Sequence, residues 1–324
     1  MVLQIQPATK FKLPARVCIW GTQKAGKTHG ALSLATALAG PHGKVGVVSS
    51  EYASSQLLQH RFPHDIVNLA EVDENSNLVP GAFAPSRYEE AIKLFTSAHY
   101  DVIVIDSLSH VWEGEGGLLE AVNKTQGSTF DDGWGKATPL YKKLINTILA
   151  ARCHTIITLR AKEAYVHEDY IKKNGEKGTR PKNVGQSPVM RKGFGYEMHL
   201  TLRMVDMVAH VEATAMQDYI PHGEEIENLG ETLAQRLLDA LDGVPLPEPT
   251  QQQKDMRSLL DEFYALSPAT YARITNWEAL ALKKGLNISS GPLPTEYTDA
   301  HVEMMRAYVT ARRRDQEAKE ERAS

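Results

Sequence analysis

The sequence predicts an α/β fold built on a parallel sheet, and three observations predict it. Short apolar, β-branched runs alternate with helical runs through the first half of the chain. One of them, "DVIVID" at 101–106, is apolar almost throughout, as a parallel strand covered on both faces is. Between the first strand and the first helix stands "GTQKAGKT" at 21–28, which matches G-x-x-x-x-G-K-[ST] at every fixed position.

Taken in order, residues 15–21 are a buried strand ending at Gly21. Residues 27–39, rich in alanine and leucine, are a helix stopped by Gly40-Pro41. Residues 44–51 ("KVGVVSSE") read as a second strand and 101–106 as a third. A helix over 137–152 and a fourth strand over 154–160 follow. The pattern then changes. Residues 163–195 are polar, glycine-bearing and basic, and read as a long loop of the kind that carries function. Alternating Met198, Leu200, Leu202, Met204 and then Met207, Ala209, Val211 predict an antiparallel hairpin over 197–204 and 206–215. A helix over 231–242 closes a core domain of residues 1–242, with residues 1–13 as an N-terminal arm. "GVPLPEPTQQQ" at 243–253 has three prolines and little to bury, which marks a linker. Residues 254–324 read as a small helical unit, with segments near 253–265, 268–284 and 297–320.

Composition narrows the class. The 324 residues are 42% hydrophobic and 23% charged, an ordinary globular balance. Cys18 and Cys153 both lie in apolar runs, which suits buried thiols, and neither has partners at metal-ligand spacing. The start has no basic region followed by an apolar run, and no stretch approaches the roughly 18 apolar residues of a membrane span. A cytoplasmic protein without membrane contact is the expectation. The formal charge of −4 requires any nucleic-acid partner to be held by a local basic patch.

The chemistry centres on the glycine-rich turn. In a P-loop of this form, backbone N–H groups ring the β-phosphate, helped by the positive end of the following helix. Gly21, Thr22, Gln23, Lys24, Ala25, Gly26, Lys27 and Thr28 are therefore the candidate ATP-binding residues. Lys27 is placed to reach the β- and γ-phosphates, and the Thr28 hydroxyl to ligate Mg2+. Asp106, at the end of an apolar strand, is the second candidate metal residue, although an Asp there also caps a following element. Glu51 ends the strand after the P-loop helix, at the sheet edge where ligands bind in open α/β folds. It reads either as the carboxylate that activates water or as an acid cap on the next segment.

These residues resemble the RecA-like ATPase core. More closely, "VIVIDSLSHVW", "TIITLRAKEAYV" and "SPVMRKGFGYEMHLTL" are similar to the phage-type AAA ATPases of the single-strand annealing (Sak-like) group, over about residues 14–242. The resemblance implies a RecA-like P-loop core whose parallel sheet is extended by a β-hairpin. It makes Glu51 the water-activating acid and Thr158 or Arg160 the γ-phosphate sensor. It also makes 110–135 and 163–195 the DNA-facing loops. One departure stands out: such sensor strands usually end in an amide, whereas "ITLRAK" offers Thr158, Arg160 and Lys162. Arg160 then acts on its own site or as an arginine finger in a neighbour's.

Within 163–195, Lys172, Lys173, Lys177, Arg180, Lys182, Arg191 and Lys192 are the candidate nucleic-acid residues, with Tyr170 and Phe194 interleaved and Tyr196 directly after. Trp112, Phe130 and Trp134, on the other, glycine-rich segment, either stack on DNA or pin that segment to the core. The function expected is a Mg2+-dependent, DNA-stimulated ATPase of recombination. It would act on single-stranded DNA as a homo-oligomeric ring or filament, with a single-strand-binding protein as a further partner. The alternatives are a small-molecule kinase with 163–195 as its lid and a nucleotide-dependent assembly switch.

Overall fold

The computed structural model describes residues 10–51, 54–74, 77–123, 130–171 and 177–244, and scattered residues between 251 and 317. The chain divides into two compact units, residues 11–243 and residues 1–10 with 244–324. The first is a three-layer α/β/α unit around a nine-stranded sheet.

The sheet is built from β1 (Arg16–Gly21), β2 (Val45–Ser49), β3 (Asp65–Asn68), β4 (Val102–Asp106), β5 (His154–Ile171), β6 (Lys177–Pro188), β7 (Leu200–Val205), β8 (Val208–Thr214) and β9 (Glu225–Ile226). Its order is β3-β2-β4-β5-β1-β7-β8-β9, with β6 paired to β5 off this path. The strands from β3 to β7 run parallel, whereas β8 and β9 turn back antiparallel. This is the predicted mixed α/β core with a mostly parallel sheet and a hairpin extension, consistent with a RecA-like P-loop NTPase. Every residue of β1, β2 and β4 is buried, which is why those strands read as unbroken apolar runs.

One face of the sheet packs on α1 (Lys27–Ala39) and α6 (Glu231–Leu241), through Leu32, Leu34, Leu233 and Leu237. The other packs on α2 (Pro85–Ser97) and α5 (Phe130–Ala150), through Tyr88, Ile92, Leu144 and Ile148. Two short helices, α3 (Ser109–Glu113) and α4 (Leu118–Asn123), lead from β4 to α5. Burying each of these large side chains contributes about 1.5–3 kcal/mol. The buried Arg16 guanidinium spans the far end of α5, donating to the carbonyls of Cys153 (2.7 Å), Leu149 (3.2 Å) and Ala151. It thereby satisfies groups a helix terminus leaves unpaired.

Several boundaries differ from the expected ones. The fourth strand does not stop at 160: β5 continues to Ile171 and pairs antiparallel with β6, so most of the predicted loop 163–195 is a two-stranded ribbon. A register shift between Glu163 and Tyr165 marks a bulge at its root. The hairpin turn is one residue longer than predicted. Asp206 and Met207, both at positive φ, form the two-residue turn between β7 and β8, and Met207 is exposed. Helix α5 begins seven residues before the expected start and takes in Pro139. Elements β3, α2, α3 and α4 lie in stretches where no element was expected.

In the second unit, described helical residues include 302–307 and 309–311, with Val302, Met305 and Val309 buried at helical spacing. The expected helix over 268–284, most of the linker and residues 1–9 of the arm lie outside the described residues.

Candidate nucleotide site

The sheet order brings the carboxyl ends of β1, β4 and β5 together, with the end of β2 beside β4. A cleft of about 550 Å³ opens there, lined by Gly21, Gln23, Lys24, Lys27, Thr28, Glu51, Ser54, Asp106, Arg160 and Ala161. Most of the predicted nucleotide and catalytic residues thus share one cavity.

The P-loop needs its glycines. Gly26 has φ of 98°, and a Cβ there would come 2.5 Å from Met207 Sδ. A Cβ on Gly21 would lie 2.6 Å from the Met204 carbonyl oxygen. The β7–β8 turn therefore leans directly on the loop, and the Met207 N–H donates to the Ala25 carbonyl at 3.2 Å. No side chain caps α1, so its first N–H groups face the cleft as an anion site. Lys27 donates to the Thr22 carbonyl at 2.6 Å, and burial lowers its pKa.

Asp106 is buried and is the hub of the site. It accepts from the Thr28 hydroxyl at 2.8 Å and from the Thr158 hydroxyl at 2.5 Å. Burial raises its pKa, and the two hydroxyls oppose the shift. A hydroxyl and a carboxylate beside an uncapped helix N-terminus form an all-oxygen donor set that fits Mg2+ with a phosphate ligand. The expected magnesium role of Thr28 and Asp106 is thus compatible with the residues present.

Glu51 faces Asp106's strand from the end of β2. Its carboxylate receives both arms of Arg160, Nε at 2.8 Å and Nη2 at 2.9 Å. Partial burial raises the Glu51 pKa, but the Arg160 fork outweighs it and holds the carboxyl below its ordinary range. Arg160 lies at the rim of its own chain's cleft.

Sequence reasoning missed the serines that lock these strand ends. The Ser50 hydroxyl donates to the Ser107 carbonyl at 2.7 Å and accepts from the Ser107 N–H at 3.0 Å, tying β2 to β4. Ser109 donates to the Val189 carbonyl at 3.0 Å and accepts from the Arg160 N–H at 2.9 Å, tying β4 to β5. The Asp106–Ser107 peptide is cis. His110 Nδ1 lies 2.7 Å from the Ser50 hydroxyl, and burial pulls this imidazole down to about 4, so it is neutral near pH 7. The signal was present as serines clustered just past two strands, in "SSE" and "DSLSH".

The candidate nucleic-acid residues divide. Lys172, Lys173 and the side chains of Lys177, Arg180, Tyr170 and Phe130 lie outside the described residues. Lys182 is exposed on β6 and pairs with Glu168 across the ribbon at 2.8 Å. Lys192 is exposed, and Tyr196 beside it is 93% exposed. Arg191 points inward, over the rings of Tyr141 (5.0 Å) and Trp134 (5.9 Å). Trp134 also packs on Trp112 at 5.8 Å, so these two aromatics pin their segment to the core. Among the described residues, no helix is long and apolar enough to cross a membrane.

A comparison with curated proteins gives no match. The family model described as an AAA domain matches residues 13–232, a span that takes in the P-loop, Glu51, Asp106, Arg160 and both β-extensions. The chain belongs to the AAA-domain family of P-loop ATPases.

Proposed function

We propose that the protein is a Mg2+-dependent ATP hydrolase that acts on single-stranded DNA in recombination or strand annealing. The observation that carries the hydrolytic part is the convergence of Lys27, Thr28, Glu51, Asp106 and Arg160 on one cleft. Residues 21–28 hold the phosphates, with Lys27 on the β- and γ-groups. Thr28 and Asp106 would hold Mg2+, which when bound draws charge from the transferring phosphoryl. Glu51 takes the proton of the water that attacks the γ-phosphorus, while the bond to the β-phosphate oxygen breaks and ADP leaves.

Arg160 acts within its own chain. It holds Glu51 ionised, and from the lining of the same cleft it would exchange that carboxylate for the developing phosphoryl charge. Thr158 senses the site through Asp106. Support for a single-stranded partner comes from exposed Lys182, Lys192 and Tyr196 at and near the ribbon, which offer phosphate contacts and a stacking face.

The test is ATP turnover with and without single-stranded DNA, in wild type and Glu51→Gln. Wild-type turnover rises with the strand. The variant keeps ATP binding and loses on the order of 10²–10⁴-fold in rate. Lys27→Ala weakens binding as well. Equal hydrolysis in Glu51→Gln and wild type removes Glu51 from the mechanism, and turnover indifferent to DNA removes the partner.

A further inference from the structure

A second cavity, of about 240 Å³, lies against the α5-side face of the sheet, between β1, β5 and β7 and the segment 187–195. Its apolar walls include Trp20, Leu159 and Phe194, all buried. Trp20 is fixed there by its indole N–H, which donates to Glu212 at 2.7 Å. On the floor, the Thr201 hydroxyl is shielded from solvent and has no hydrogen-bond partner. A buried hydroxyl without a partner is costly, and a ligand with a polar edge supplies what it lacks. At the rim stand Lys162 and Lys192, both exposed and without an ion pair among the described residues.

Flat apolar walls, one unsatisfied polar group inside and two free cations at the mouth select a heteroaromatic ring attached to phosphate. The volume is below the roughly 300–1,000 Å³ of an ordinary small-molecule pocket, which suits a single base. Two features favour a base within a strand over a free nucleotide. The lysines come from separate segments, so they can take phosphates on both sides of one base. Tyr196, at the end of the same turn, offers an open stacking face for the next base.

We infer that this cavity holds one unstacked nucleobase of a single strand, with the flanking phosphates on Lys162 and Lys192. The inference rests on the single-stranded reading above. It adds that β5 is a shared wall: Arg160 and Ala161 line the nucleotide cleft, and Leu159 and Lys162 line the base cavity.

Fluorescence anisotropy of the full chain measures the affinity for a labelled oligo-dT, for an abasic strand of equal length, and for free dTMP as competitor. Oligo-dT binds about tenfold or more tightly than the abasic strand. Thr201→Leu, which fills the cavity, removes that ratio while leaving abasic-strand affinity and ATP binding unchanged. Lys162→Gln with Lys192→Gln lowers the slope of log affinity against log salt by about 1.4, as two lost phosphate contacts on a single strand require.

Equal affinity for oligo-dT and the abasic strand, with salt-sensitive binding retained, overturns the base cavity and spares the DNA reading. Competition by dTMP that Thr201→Leu abolishes, without a base-dependent strand ratio, assigns the cavity to a free nucleotide instead. Absence of salt-sensitive binding to either strand sinks both the cavity's role and the DNA reading.

Discussion

Arg160 and Glu51 lie 109 residues apart in the chain and meet through two hydrogen bonds. Their fork holds the Glu51 carboxyl ionised. A carboxylate held below its ordinary range is ready to accept a proton but is weakly basic. In the proposed mechanism, transfer of the guanidinium to phosphoryl oxygens would leave burial as the dominant influence on Glu51 and raise its basicity. In Arg160→Ala the cation is gone and the burial remains, so the carboxyl rises. At saturating Mg2+, which in the proposed site would keep Asp106 ionised, the acid limb of the turnover–pH profile moves to higher pH. The rate itself falls on the order of 10²–10³-fold. A slower enzyme with an unmoved acid limb would show that Arg160 serves the phosphoryl group alone.

At the scale of elements, the sheet depends on close approach as much as on apolar content. Gly46 in β2 lies under the Phe95 ring of α2, and an added Cβ would come 2.6 Å from the ring. Gly46→Ala destabilises by about 1–3 kcal/mol in urea unfolding. Because Gly46 is at the start of its strand, ATP affinity is unchanged under native conditions. A neutral substitution would mean that α2 can shift on the sheet.

What was readable in the chain follows from the same packing. Strands β1, β2 and β4 are buried on both faces, so their runs are unbroken, and α1 stops at a glycine at positive φ. The P-loop, Glu51 and Asp106 were legible because strand ends and a spacing motif carry them. The ribbon was not. Tyr165, Val166 and Val184 are exposed on it, so nothing imposes an apolar alternation and its composition reads as loop. Strand β3 is short and only partly buried, with the same effect. The Arg160–Glu51 fork was out of reach for a different reason, since it exists only once β2, β4 and β5 are placed side by side.

Across the whole molecule, two half-buried imidazoles sit at opposite edges of the sheet. His110 stands at the nucleotide edge, and His154 at the other, where its Nδ1 accepts the Ala15 N–H at 3.0 Å. Burial takes both from 6.5 to about 4. The unfolded chain therefore binds more protons than the folded one between these values, and this contribution to stability is lost as pH falls from about 6.5 towards 4. Denaturant unfolding from pH 7 to 4.5 shows the decline. His154→Asn, which retains an acceptor for Ala15, flattens it. An identical slope in the variant would assign the acid sensitivity elsewhere.

The continuity of β5 has a mechanical consequence. It is a lever, with seven residues embedded in the sheet and eleven projecting beyond Arg160. The bulge at Glu163–Tyr165 is its fulcrum. At about 3.3 Å per residue the arm beyond the bulge, residues 166–171, reaches roughly 20 Å, so a tilt of about ten degrees at the fulcrum sweeps its end through some 3.5 Å. In the proposed mechanism, a shift of Arg160 from the Glu51 carboxylate to a phosphate would have this arm as its route out of the cleft.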